Sequence, residues 1–342
     1  MKGRTELANE LLLKRPDLNL LRSDQEGYPL LSQVLQKQFH LYDARGKDLP
    51  DLRAFGNNAV AVFSDYGGES TGSYHTYSTL VCGYGYTGLF GQRMKAVREK
   101  HTLGGKEIAF KKFGNGPLRR ALPEYLAALD NLPGLLCTLA VDKRVTTLFG
   151  PQEKSTMAAL SRILEAEGLG RRKAHVTEKL LRIVHFTAFL TALLAHNGQK
   201  IFWMTDNDAI CANREAHQQL LILFERVLSI YTRSDCEFPL IGGAVPFNPP
   251  SIEMMDLLSV PDVVAGCIVP CIPTQGSKPD RNAQVKRGAD SVLRWHTQDG
   301  IGLKKTVFLI RLGAGGVIED GSVNFNPVQP AQNATGQPSS AR

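Results

Sequence analysis

Apolar residues are spaced in two ways along this chain, and the spacing predicts its elements. In residues 1–50, Leu7, Leu11, Leu12, Leu13, Leu30, Leu31, Val34 and Leu35 form stripes among charges, the pattern of amphipathic helix. At Ala59-Val60-Ala61-Val62-Phe63 the stripes give way to an unbroken apolar run, as in a strand buried on both faces. The run stops at Ser64-Asp65, a glycine-rich turn follows, and residues 74–83 predict a second strand that forms a hairpin with the first. Beyond it the pattern predicts a helix over 89–101, a short third strand over 107–110, a helix over 123–132 and a buried strand over 135–141. Helices over 157–166 and 178–195, a strand over 200–204 and a helix over 215–231 come next. An irregular extended piece over 238–247, an apolar helix over 254–268, a short helix over 291–296 and a closing hairpin over 306–325 complete the series.

Hairpin strands first and strand–helix alternation afterwards predict an α/β fold with a mixed sheet. The expected organisation is a helical N-terminal extension over 1–50 and a main domain over 51–275, with a helical insertion at about 152–197. A C-terminal helix and hairpin over 276–326 and a disordered tail over 327–342, polar and containing proline and serine, would follow.

With 43% hydrophobic and 21% charged residues over 342 positions, the composition is that of a folded globular chain. No apolar run approaches the roughly 18 residues of a membrane span, and the opening Met1-Lys2-Gly3-Arg4-Thr5-Glu6 lacks the apolar stretch of a secretory signal. The six cysteines are scattered among apolar residues and read as reduced thiols, so a cytoplasmic location is expected. Cys267 and Cys271 have helical spacing, but no second pair accompanies them and zinc is not expected. The net charge of +7 is unevenly spread. Between residues 100 and 120, Lys100, Lys106, Lys111, Lys112, Arg119 and Arg120 face a single acid, Glu107. Such a stretch is either a solvated face or a site for a polyanion.

Carboxylates stand out by position. Asp65, Asp142 and Asp206 each end a strand that is otherwise apolar, and ligands bind at strand carboxyl ends in open α/β sheets. Asp262 sits inside the apolar helix, where a lone buried carboxylate is costly unless paired or bound to metal. Glu107 heads the expected third strand in the basic stretch. Singly, an aspartate after a strand is often a turn former or helix N-cap. Jointly, converging acids suit magnesium or manganese, which take oxygen ligands and, as a pair, activate water and steady the leaving oxygen of a phosphodiester.

The order of these acids resembles that of the ribonuclease H-like superfamily, with an acid on the first strand, a hairpin, later acids, and a last aspartate on a helix. More narrowly it resembles a bacterial family of predicted nucleases that usually opens with Asp-Glu-Ser-Gly. The matching elements are Phe63-Ser64-Asp65-Tyr66-Gly67-Gly68, Lys106-Glu107-Ile108, Leu139-Ala140-Val141-Asp142-Lys143, Met204-Thr205-Asp206 and the helix from Met255 to Gly266 with Asp262, in consistent order over about 58–272. The resemblance implies a magnesium- or manganese-dependent nuclease, with an antiviral or mobile-element role. Its metal-binding set would be Asp65, Glu107, Asp206 and Asp262, with Asp142 competing with Asp206 and Asp208 two residues further on. In ribonuclease H topology the fourth strand carries an acid, which points to Asp142. Lys111, Lys112, Lys143, Arg119 and Arg120 would hold nucleic acid, and residues 1–50 and 276–326 could engage a protein partner. The chain departs from the family at Tyr66, where a glutamate is usual and the nearest acid is Glu69, and at Pro261, where an alanine precedes the last aspartate.

Two rival readings remain. A catalytically inactive module of the same fold would bind nucleic acid or protein through its basic face, and the departures at Tyr66 and Pro261 suit it. Alternatively, Gly83-Tyr84-Gly85-Tyr86-Thr87-Gly88 fits a dinucleotide-binding turn, with Glu107 about 20 residues on. Against it, the preceding strand is the return arm of a hairpin and the tyrosines crowd the turn.

Overall fold

The computed structural model describes residues 27–68, 72–245, 251–272, 288–298 and 300–323, together with the backbone of Leu13–Lys14. Glu69 and the expected tail over 327–342 lie outside the described residues. The elements run β1 (Leu13–Lys14), α1 (Leu30–Ala44), β2 (Leu49–Pro50), β3 (Ala59–Gly67), β4 (Tyr74–Gly83), α2 (Thr87–Lys100), α3 (Gly116–Leu129) and β5 (Gly134–Asp142). There follow α4 (Lys154–Ala166), α5 (Ala174–Leu194), β6 (Lys200–Thr205), α6 (Arg214–Tyr231), β7 (Ile241–Ala244), α7 (Ile252–Ile268), α8 (Ala289–His296), β8 (Leu303–Leu312) and β9 (Ile318–Ser322).

Seven strands form one mixed sheet in the order β7-β6-β3-β4-β5-β8-β9. The hairpin arm β4 runs antiparallel to both β3 and β5, whereas β6 lies parallel to β3, β7 to β6 and β8 to β5. Successive side chains of a strand point to opposite faces, so the unbroken apolar run of β3 feeds two cores. Val60 and Val62 pack with α1, α4, α5 and α6 on one face, while Ala61 and Phe63 pack with α2, α3, α7 and α8 on the other. The segment expected as a helical insertion supplies α4 and α5. Helix α5 is apolar almost all round and buried from Leu180 to Leu194, because the sheet lies on one side and other helices on the rest. The C-terminal hairpin β8–β9 extends the same sheet through the β5 edge rather than standing apart.

Three expectations need correction. Residues 107–110 form no strand; a short 3-10 turn covers Phe110–Lys112. The backbone there is engaged by side chains, since Asp262 accepts the Phe110 N–H and Arg98 donates to the carbonyls of Gly104 and Lys106. In the N-terminal part Leu13–Lys14 is extended and pairs with Leu49–Pro50, so that end is not wholly helical. The helix does not start at Pro261, one of the two outcomes (a start or a kink) that a proline before Asp262 suggests, but runs through it as α7 from Ile252 to Ile268. Among the described residues no helix is long and apolar enough to cross a membrane.

The exit from β5 is fastened to α5 by a buried ion pair. Arg182 Nε donates to Glu178 Oε1 at 2.8 Å, and the two side chains are only 3% and 5% exposed. The same carboxylate accepts Thr147 Oγ1 at 2.8 Å and Leu148 N at 3.0 Å, while Arg182 Nη2 donates to Val145 O. Removing one partner leaves a buried charge uncompensated. Glu178→Ala is therefore expected to cost about 3–5 kcal/mol, read as a lower urea midpoint at an unchanged slope.

Candidate active site

The site begins with strand register. Ser64 pairs with Thr205 across the parallel strands β3 and β6, and Asp206 N continues the ladder to Ser64 O at 3.0 Å. Asp65 and Asp206 are thus neighbours on adjacent strands, whose backbones lie about 4.8 Å apart. Both continue the face occupied by Phe63 and Met204, which is the face covered by α7. Helix α7 packs over β3 and brings Asp262 to the same end. Asp262 Oδ2 accepts Phe110 N at 2.8 Å, and Asp65 Oδ1 accepts Tyr66 N at 2.5 Å.

These carboxyls perturb one another. Burial pushes Asp65 well above the usual carboxylate range, and the charges of Asp206 and Asp262 push it further, with the Tyr66 N–H opposing. Burial also raises Asp206, with Asp208 and Glu107 adding to it and the Asn207 N–H and Lys111 opposing. Asp262 is raised by burial, then by Glu107 and Asp206, against the Phe110 N–H and Lys111. Among the described residues no ion pair reaches Asp65, Asp206 or Asp262. Glu107 stands at the rim, 2.7 Å from Lys112 Nζ and 4.0 Å from Lys111 Nζ. With Lys106, Lys111, Lys112 and Asn115 it lines a cavity of about 330 Å³.

Asp142 does not join this set. Burial pushes it up, but the Arg144 guanidinium and backbone N–H bonds outweigh that and hold it below the ordinary value. Arg144 Nη2 donates to its Oδ2 at 2.6 Å and also to Leu312 O at 2.9 Å, tying the ends of β5 and β8 together. The expectation that favoured Asp142 depended on counting a strand at 107–110. Without it β5 is the third strand of the main sheet, and the fourth, β6, ends at Asp206. Lys143 follows Asp142 at the end of β5, two strands across the sheet from β3, its N–H bonded to Ser73 O. Arg119 and Arg120 lie in the first turns of α3, Arg119 half-buried near Gly288 and Arg120 exposed. Of the five basic residues expected to hold nucleic acid, the geometry brings Lys111 and Lys112 to the acids.

Tyr66 points to the opposite face, so a tyrosine at this position removes nothing from the acid set. Its hydroxyl bonds Ser64 Oγ at 2.7 Å and Thr205 Oγ1, and Trp203 Nε1 donates to Ser64 Oγ at 2.9 Å. Lys179 of α5 lies over the Tyr66 ring, its ammonium 5.7 Å from the ring centre, and pairs with Asp208. Sequence reading missed Lys179; its one signal is a cation beside Glu178 at the head of an otherwise apolar helix. The glycine motif at 83–88 lies at the far end of the sheet, where Gly83 pairs with Val60. There Asn57 Oδ1 already takes the Gly85 N–H, leaving no cradle for a pyrophosphate at that amide.

As placed, no three acid, histidine or cysteine side chains among the described residues stand close enough to hold a metal together. The chemistry of the donors nonetheless suits a hard cation: three aspartates, all oxygen ligands, are raised by burial and nearby acid charges and have no ion pair among the described residues. The chain matches no known protein family, no curated protein and no solved structure at a significant level.

Raised carboxyls carry a definite pH signature. Because their folded-state pKa values lie above the unfolded ones, their stabilising contribution is complete below about pH 3.9 and is lost as pH rises through the folded values. Asp206→Asn removes one of the mutually repelling charges. In EDTA the variant is expected to melt a few degrees above wild type at pH 7–8, with the gap closing towards pH 4, as read by thermal unfolding across that range.

Proposed function

We propose that the chain is a divalent-metal-dependent nuclease of ribonuclease H-like fold. One observation carries the reading: Asp65, Asp206 and Asp262 come from two parallel strands and a crossing helix to one end of the sheet, where burial and neighbouring acid charges raise all three. The architecture supports it. A hairpin opens the sheet, strand–helix alternation follows, the fourth strand ends in an acid and a later helix carries the last aspartate, as the superfamily resemblance implies.

In this reading Asp65, Asp206 and Asp262 would hold the cation and Glu107 would complete the set from the rim. Magnesium or manganese supplies, when bound, activation of the attacking water and neutralisation of charge on the leaving oxygen. The chain's own groups do the remaining work. Lys111 offsets part of the negative potential at Asp206 and Asp262, so a phosphodiester can approach. Lys112, now paired with Glu107, is the cation that a phosphate can recruit when Glu107 turns to the ion. The apolar packing of Phe63, Met204 and α7 beneath the acids keeps water out from below and strengthens every charge interaction above it.

The inactive binding module is the second reading, and the Lys179–Asp208 pair favours it: an ammonium already neutralises one acid of the group.

Cleavage assays separate the two. Labelled single- and double-stranded RNA, DNA and a hybrid are incubated with magnesium, manganese or EDTA. Wild type is expected to cleave at least one substrate with metal and none in EDTA. Asp65→Asn, Asp206→Asn or Asp262→Asn should lower the rate about a hundredfold or more, since several kcal/mol of charge stabilisation go with the ion. Asp142→Asn should stay within a few-fold of wild type. No cleavage by wild type, with salt-sensitive binding that Asp65→Asn leaves intact, would establish the binding module instead.

A further inference from the structure

Arg98 lies in the last turn of α2 and is buried, with only 8% of its side chain exposed, opposite Asp256 of α7 at 1%. Its Nε donates to Asp256 Oδ2 at 2.8 Å and its Nη2 to Oδ1, a two-pronged pair. The third nitrogen goes elsewhere. Nη1 donates to Gly104 O at 2.7 Å and to Lys106 O at 3.0 Å, the carbonyls just ahead of Glu107. A single guanidinium thus binds the end of one helix, the side of another and the loop between α2 and the 3-10 turn.

That loop has a second anchor on the same helix. Phe110 N donates to Asp262 Oδ2, and the Phe110 ring lies over Gly266, where an added Cβ would come within 2.4 Å of it. Residues 104–110 are therefore an arch with both feet on α7, one on Asp256 through Arg98 and one on Asp262. Glu107 sits at its crown. The chain enters the arch under strain: α2 ends in a Schellman turn, with Thr102 N bonded to Glu99 O and Leu103 N to Arg98 O. The residue at the left-handed position is Thr102, at φ 50°. A β-branched residue holds that conformation only where its surroundings over-determine it, and Arg98 is the group that draws the following carbonyls back.

We infer that Arg98 is the positioning residue for Glu107, its clasp on Asp256 fixing the arch so that Glu107 faces the aspartates of α7 and the strand ends. The inference rests on the nuclease reading for what Glu107 does there, but the clasp itself is open to direct test. Buried ion pairs contribute little net stability against an apolar pair of similar volume, whereas an arginine fork fixes geometry that neither lysine nor an apolar chain can reproduce.

The experiment compares wild type with Arg98→Lys and with the double variant Arg98→Met/Asp256→Leu. Each is measured by urea unfolding, by amide exchange at Lys106 and Phe110, and by kcat and KM for the substrate that wild type cleaves. The expected result is a double variant with a wild-type urea midpoint, about tenfold faster exchange at both amides, and kcat reduced about tenfold with KM little changed, as for loss of hydrogen bonds from a charged donor. Arg98→Lys, which keeps the charge but not the fork, should show the same loosening. Wild-type exchange in either folded variant would overturn the inference. If the double variant unfolds early, Arg98→Lys decides: faster exchange upholds the clasp and unchanged exchange overturns it. Absence of any cleavage by wild type removes the nuclease reading, and the exchange rates still settle whether Arg98 holds the arch.

Discussion

The structure depends on the pairing of β3 with β6 at Ser64 and Thr205. A one-residue slip in a strand reverses every side chain, and here it would exchange Asp65 with Tyr66 and send the acid into the wrong core. The register is held on the α5 face by polar groups. Tyr66 Oη bridges Ser64 and Thr205, and Trp203 Nε1 donates to the same serine. Lys179 presses on the ring that carries the bridge. The two faces of one short stretch thus have different tasks, the lock on one side and the acids on the other. That division explains how a tyrosine can stand beside Asp65 without disturbing the aspartates.

Among the described residues, six buried or half-buried acids fall into two kinds, and the distinction is physical. Asp142, Glu178 and Asp256 each meet an arginine, respectively Arg144, Arg182 and Arg98, and each of these pairs fastens a segment: a strand end, the loop leaving β5 and the arch ahead of Glu107. Arg144 more than offsets the desolvation of Asp142, and Arg98 offsets part of that of Asp256, which burial still raises. Asp65, Asp206 and Asp262 meet other acids, Glu107 and Asp208 among them, and backbone N–H groups, and burial with like charge raises all three. No gain in folding accounts for that arrangement.

Much of this was legible in the sequence, for reasons that also mark the limit. Strands buried on both faces read as unbroken apolar runs, so β3, β5 and β6 and the aspartates that end them could be found by inspection. Asp262 could be found because a charge interrupts an apolar helix. Residues 107–110 misled because a short apolar run looks the same whether a neighbouring strand or side chains such as Arg98 and Asp262 satisfy its backbone. That one false strand shifted the count and set Asp142 up as a competitor to Asp206. Arg98 and Lys179 were invisible because their meaning lies in contacts across 158 and 29 positions of sequence, which no local pattern encodes.

The same reasoning shows why the acid site needs so large a scaffold. Three mutually raised carboxyls oppose folding at neutral pH, and their cost must be offset away from the site. The offset is the double core: one sheet buried on both faces, with α5 and α6 beneath the register lock and α2, α3 and α7 beneath the acids. Loss of packing on either face would relax the strands before it reached the acids. Under the proposed reading a divalent cation would act in the opposite direction, because binding that requires the three carboxyls to be held together would stabilise the state that holds them. Folding, register and cation binding would then be linked in one equilibrium, with the β3–β6 pairing as their common term.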